Sequence, residues 1–407
     1  MGQSVTKNER IVSLDMLRGF ALLGILLVNI LSFGAISAMI FNPSLGFYLP
    51  TDIWVWALVE LTAEGAMRAL FSMLFGAGVL MFLRRGGSRA KLHFKRTFWL
   101  LIFGLINGYV LMWSGDILVT YALGAIILYF LRNISPRGLA ILSAFLFACI
   151  CAYSNVLNIG LEFLRDAADY NSEAAKDWAE FYELFAPSEA AVKNEIAQRK
   201  GSFFEVLSWS ATAYTSLLLE TVPILLFWDA LVFMCIGMAL YQYQILQGFH
   251  SERFYLLITI CGFGIGLSIN GYEIYQMIVS DFDILTSFSY FKPTYQIGRL
   301  GVALGWMGFL ILLMHWFGIG HRLAAVGRMA LSNYLLQSVI CLFIFSGIGF
   351  GLLDDLRRSE LYIVVVLIWA FQLWLSPWWL TRYNYGPTEW LWRALTYGKI
   401  PKFSRRP

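Results

Sequence analysis

Residues 10–30, RIVSLDMLRGFALLGILLVNI, decide the fold. The run is apolar and of membrane length, yet it carries Asp15, Arg18 and Asn29. At about 100° per residue, Arg18 and Asn29 lie three turns apart and nearly in line, with Asp15 one turn below Arg18. The three form one polar stripe. An acid and an arginine at i, i+3 can pair at a membrane boundary, while Asn29 stands roughly 21 Å above Asp15 in a hydrocarbon core about 30 Å thick. Lipid would not accept such a stripe. The plainer reading is that Asp15 and Arg18 set the helix start and topology and that Asn29 bonds a neighbouring helix. Taken together, the three favour a buried cavity.

The rest of the composition agrees with a membrane setting. Hydrophobic residues make up 59% of the 407 and charged residues 14%, against roughly 45–50% and 25% in soluble domains. Apolar runs recur from end to end, so residues 1–407 read as a single integral-membrane unit and not as two or three soluble domains. The net charge of +4 says little about partners, because the basic residues are placed for topology. Cys149, Cys151, Cys235, Cys261 and Cys341 all fall in apolar runs; an odd number without metal spacing reads as small core residues. The opening MGQSVTKNER is a short polar tail, and the first apolar run lacks a small-residue cleavage site, so it reads as an uncleaved helix.

The apolar runs predict an all-α, polytopic helix bundle of about ten transmembrane helices. They lie near residues 14–36, 66–83, 97–113, 117–132, 137–159, 217–243, 254–273, 294–318, 329–350 and 360–380. The connections test that count. Residues 84–96 hold six Lys/Arg and no acid, the tail from residue 381 holds six basic residues and one acid, and residues 161–205 hold ten acids and five bases. With both termini cytoplasmic, nearly every connection obeys the positive-inside rule. Two five-span parts result, residues 1–159 and 209–407, joined by an extracytoplasmic segment, residues 160–208. Its spaced aromatics, as in DWAEFYELF, predict amphipathic helices over the membrane face. Residues 53–65 predict a short helix leading into the second span, with Glu60, Glu64 and Arg68 as a ladder along one face.

Two polar groups at different depths follow from this topology. The inner one holds Asp15, Arg18, Arg328, Ser332, Asn333, Gln337, Gln372 and Ser376. Interhelical amides contribute only about 0.6 kcal/mol each, so packing is the leading reading of the last four. Arg18 and Arg328 differ, since paired arginines near the surface can hold phosphates or anionic lipid. The outer group holds Asn29, Glu64, Arg68, Asp116, Asp229 and Arg299. Charges at such depth are paired or line water. Three acids against two arginines leave a surplus carboxylate, Glu64 or Asp116, as a candidate general base; Arg68, Asp229 and Arg299 make a buried charge network, with structural ion pairing as the competing account. His93, His250, His315 and His321 map to the cytoplasmic side, away from an outward-facing site.

SLDMLRG followed by LLVNI, EGAMRALFSMLFGAG, GDILVTYALG, VGRMALSNYLLQS and SPWWLTRYNYGPTEWLWRALTYGK resemble the YeiB-like family of multispanning bacterial inner-membrane proteins, a family with a domain of unknown function and a signature here over residues 326–400. The opening is more distantly similar to a superfamily of transmembrane acyltransferases, in which a His commonly stands eleven residues after the Arg. That position here is Asn29, and a second His common among relatives is replaced by Asn107. An amide cannot accept a proton at neutral pH. The resemblance therefore implies a layout in which Arg18 and Arg328, with Asp15, Asn333 and Gln337 near them, hold the anionic end of a donor such as acyl-CoA. Asn29 then bonds the acyl carbonyl, and Glu64 or Asp116 takes the acceptor's proton.

Absences narrow the field. The sequence has no P-loop, no GxGxxG after a strand, no HExxH and no Cys/His cluster, so no metal site is expected. Nucleic acid is not an expected partner; membrane lipid and a small-molecule or glycan acceptor are, and the aromatic-rich spans fit a homodimer. Three readings remain: a membrane acyltransferase working between a cytoplasmic donor and an outer acceptor, a small-molecule or lipid transporter, and a non-catalytic membrane component.

Overall fold

The computed structural model describes residues 12–84, 89–288 and 292–405. The polar tail, Arg10 and Arg85 lie outside the described residues. In chain order the helices are α1 (Val12–Gly34), α2 (Pro50–Thr62), α3 (Ala66–Arg84), α4 (Ala90–Tyr109), α5 (Leu118–Leu131), α6 (Pro136–Ala167), α7 (Ser172–Phe185), α8 (Glu189–Arg199) and α9 (Phe203–Ser216). A π-helical segment, Leu217–Leu226, leads into α10 (Phe227–Gln242). There follow α11 (Glu252–Val279), α12 (Ile284–Ser287), α13 (Pro293–Phe317), α14 (His321–Arg328), α15 (Ala330–Phe345), α16 (Arg358–Arg382) and α17 (Pro387–Tyr397). Among the described residues there is no β-strand, only one bridge between Tyr383 and Ser404.

Seven helical stretches are long and apolar enough to cross a membrane, or eight if α14 and α15, bent by 81°, count as one. The expected ten all fall on helices, but two do not qualify. Lys91, Lys95 and Arg96 charge the first turns of α4, and α5 has 14 residues, about 21 Å of helix. The sixth expected span also begins earlier, since Phe203–Gln242 runs as one stretch. The outward face of α6 is apolar, with Phe145 63% exposed and Ile141 and Phe163 similarly bare. That arrangement is costly in water and suits lipid.

The expected Glu60–Glu64–Arg68 ladder is interrupted. Residues 63–65 form a turn, and Gly65 takes φ +63°, a left-handed geometry that a side chain resists. Glu64 therefore leaves the helical face and turns inward, 7% exposed. On the other side of the bundle α1 and α14 touch through bare backbone. A Cβ on Gly19 would stand 2.0 Å from Leu323 O, and one on Gly327 1.9 Å from Asp15 O. This contact seats the neighbouring Arg18 and Arg328 at one cavity.

The segment over residues 160–208 is helical, as expected, and α7 and α8 are capped by Asn171 and Ser188. Its end docks on α1. The Arg199 guanidinium donates to Ser32 O at 2.7 Å, Phe33 O at 3.0 Å and Ala35 O at 2.8 Å, pairs with Glu195 at 2.8 Å, and lies 4.7 Å over Trp209. A cation on the last carbonyls of a helix meets the negative end of its dipole.

Candidate functional site

The first half of α1, the start of α15, α3, α4, α5 and α17 enclose a cavity of about 310 Å³, within the range of about 300–1,000 Å³ typical of ligand sites. Arg18, Arg89, Arg96, Arg328 and Arg393 stand on its walls, with Asp15 and Glu389 as its acids. Asp15 Oδ1 is 3.2 Å from Arg18. Glu389 is occupied at the start of α15, where it accepts from Leu331 N at 2.7 Å, Ser332 N at 3.1 Å and the Ser332 hydroxyl. Burial raises its carboxyl above the ordinary value, and the Ser332 and backbone donors pull it back. Positive charge therefore prevails on the walls. Arg96 lies 4.2 Å over Trp392 and 5.0 Å over Phe82, and Arg393 lies 4.6 Å over Tyr385, so aromatic faces hold the guanidinium planes in place.

Much of the remaining lining is apolar, with Ile25, Phe71, Phe75, Leu100 and Leu118 among it, and Tyr121 and Tyr334 also stand on the wall. His93 also lines the cavity. Its Nε2–H donates to Ala125 O at 2.9 Å, which leaves Nδ1 as the acceptor nitrogen. The histidine that charge placement assigned to the wrong side for an outer site is thus well placed for an inner one.

Next to the wall residue Tyr334 lies Asp116, fully buried. Its Oδ1 accepts from Asn107 Nδ2 at 2.8 Å and faces the Tyr334 hydroxyl at 3.4 Å. Its Oδ2 accepts from Leu118 N at 2.9 Å and Val119 N at 3.3 Å, with the Tyr214 hydroxyl at 3.4 Å. Two of these donors begin α5, where free N–H groups favour an acid. All are neutral. Position 107, where the resemblance implies histidine, supplies an amide directly to this carboxylate.

A second cavity, about 40 Å³, lies toward the other ends of α1 and α15, lined by Ser32, Phe33, Trp113, Ser114, Arg199 and Trp209 among others. It has room for a few water molecules. A hydrogen bond joins a lining residue of each cavity. Trp113, on the small cavity, donates from Nε1 to the hydroxyl of Tyr334, on the large one, at 3.2 Å.

The remaining expected residues lie elsewhere. Arg299, 1% exposed, pairs with Asp229 and bonds Gln296, and Arg68 Nε stands 3.5 Å from Asp229 Oδ2. Tyr295 receives from Arg68 at 3.2 Å and donates to Glu64 at 3.0 Å. Here two arginines meet two carboxylates. The surplus acid is accordingly Asp116, which has no ion pair among the described residues. Asn333 bonds Val326 O at 3.2 Å and Ser376 at 3.0 Å, and Gln337 bonds Gln372 at 3.0 Å, so these amides join α15 to α16 and are not on the cavity wall. Asn29 is half-buried and is likewise outside the lining. Of Asn29, Glu64 and Asp116, only Asp116 adjoins the cavity.

Sequence reasoning passed over Arg89, Arg96, Arg393, Tyr334 and Trp113. The first two sat in a basic loop read for topology alone. A signal was present in the tail, where TEWLWRALTY places Glu389, Trp392, Arg393 and Thr396 at helical spacing on the cavity side.

Comparison with known proteins agrees with the motifs. The family model described as a protein of unknown function, DUF418, matches residues 240–399, which carry Arg328, Tyr334, Glu389 and Arg393. The uncharacterized protein YeiB of Escherichia coli K12 is 32% identical over 397 residues, 95% of this chain and 96% of the relative. The uncharacterized protein YxaH of Bacillus subtilis 168 is 26% identical over 416 residues, 97% of this chain and 96% of its own.

Proposed function

The chain belongs to the YeiB-like family, and from that premise we propose that it is an acyltransferase-like protein of the bacterial inner membrane. An anionic acyl donor of the acyl-CoA kind enters the large cavity from the cytoplasm, and its acyl group passes to a hydroxyl acceptor, a small molecule or a glycan, near the outer face. The basic loops and tail support this orientation, with both termini inside. One observation carries the reading: five arginines stand on a cavity otherwise lined mostly by apolar side chains, and Tyr334 on its wall faces an acid held by neutral donors. Guanidinium groups suit phosphates, and the apolar lining suits a pantetheine or acyl chain. Asp116 is the general base, and Arg18, Arg328 and Arg393 hold the donor.

Acetyl-CoA and a long-chain acyl-CoA titrated into purified protein in nanodiscs test this. Micromolar binding that Arg393→Ala weakens about tenfold is the expected result; no binding to folded wild-type protein overturns it. The approach of two cavities from opposite ends also suits a transporter. Proteoliposomes that accumulate a substrate with no thiol released would establish that reading instead.

A further inference from the structure

We propose that Tyr334 is a catalytic residue that carries the acceptor's proton to Asp116, and that the acceptor gains its place by displacing the indole N–H of Trp113. The inference rests on the acyl-transfer reading and specifies the chemistry beside Asp116.

The hydroxyl of Tyr334 has three neighbours, and each restricts it. Trp113 Nε1–H points at its oxygen from 3.2 Å and Ile117 N–H from 3.3 Å. Those two donors occupy both lone pairs. The phenolic proton therefore turns to the remaining neighbour, Asp116 Oδ1, 3.4 Å away. That separation is long for an O–H···O bond, and such contacts shorten as charge develops on the phenol. Asn107 and the α5 amides keep the carboxylate in position to receive it.

The two nitrogen donors are unequal. Ile117 N belongs to the backbone at the start of α5 and stays where the helix puts it. Trp113 is a side chain on the small cavity, stacked on Phe33 with ring centroids 3.7 Å apart, and rotation of its ring opens one lone pair of Tyr334 to that cavity. An alcohol arriving there replaces one neutral donor with another. The thioester carbonyl reaches the same hydroxyl from the large cavity, because Tyr334 is on its wall.

The step then balances. The acceptor oxygen forms a bond to the acyl carbon while its proton passes to Tyr334 Oη and the tyrosine's own proton passes to Asp116. The C–S bond breaks, and the leaving sulfur takes the proton back from Asp116 through Tyr334. The products are an ester and a free thiol; Tyr334 and Asp116 return to their starting forms.

Hydrolysis of acetyl-CoA, with water as the acceptor and thiol release as the signal, tests the relay in the full chain in nanodiscs. Tyr334→Phe keeps the ring, and it is expected to bind acetyl-CoA within twofold of wild type and to release thiol about 10²-fold more slowly. Adding Asp116→Asn to it costs no further rate, since the two act as one unit. Trp113→Phe retains an aromatic ring and frees the lone pair, so hydrolysis rises about 2- to 10-fold, with acetyl-CoA binding and thermal unfolding close to wild type. Wild-type turnover in Tyr334→Phe, or donor binding by wild type without thiol release, overturns the relay alone. A fall in Trp113→Phe overturns the displacement, and absence of donor binding overturns the reading beneath both.

Discussion

Asp229 and Asp116 are both buried aspartates in the same bundle, and their surroundings are opposite. Asp229 lies between Arg299 and Arg68, so its charge is neutralised on the spot and the group serves to hold α3, α10 and α13 together. Asp116 has amides, backbone N–H groups and two phenols. Neutral donors stabilise a carboxylate without locking it to one protonation state, and a cavity stands one side chain away. Burial of an acid thus says little about function; the charge of its partners and its access to space say more.

The comparison breaks most readily at Arg299. Arg299→Ala leaves Asp229 with Arg68 alone, and loss of one partner of a buried pair costs up to about 3–5 kcal/mol; thermal unfolding in detergent should show the largest drop of any variant here, with donor binding failing only as the fold fails. Asp116→Asn should do the reverse. It is expected to unfold close to wild type and to lose about 10²-fold in thiol release, as Tyr334→Phe does. If Asp116→Asn unfolds as Arg299→Ala does, the contrast between the two acids disappears.

Smaller effects sharpen it. Arg18→Ala should weaken acyl-CoA binding, and raising salt should reduce the difference from wild type, because partly exposed charges are screened. Glu389 supplies a pH signature. Its raised carboxyl means that the folded protein holds the proton more tightly than the unfolded chain, so its stabilising contribution is full below the unperturbed value of 4.5 and fades as pH rises through the raised value. Hydrogen exchange in the first turn of α15 should accelerate over that window, and Glu389→Gln should flatten the response. Gln337→Leu, between α15 and α16, should cost only about 0.6 kcal/mol and leave donor binding unchanged.

Much of the fold was legible in the primary structure. Apolar runs marked every long helix, and Glu60–Arg68 failed as one ladder only because a single glycine turns the chain at residue 65. The span count slipped where length and charge trade off, at α4 and α5. The candidate site was legible in part: Arg18 and Arg328 on the cavity wall and Asp116 beside it were singled out because charges in apolar runs are conspicuous, whereas Trp113 and Tyr334 look like ordinary aromatic packing until their neighbours are known.

Hydropathy and the placement of basic residues are properties of contiguous segments, so the amino-acid sequence by itself determined a helical, multi-pass chain with one basic end. Only the tertiary structure decided that Glu64 serves Tyr295 and that Asp116 meets Tyr334, 218 positions away. Helical periodicity specifies which side chains share a face; it carries no information about which face of a distant helix will pack against it, and the contact between Asp116 and Tyr334 is made at that packing.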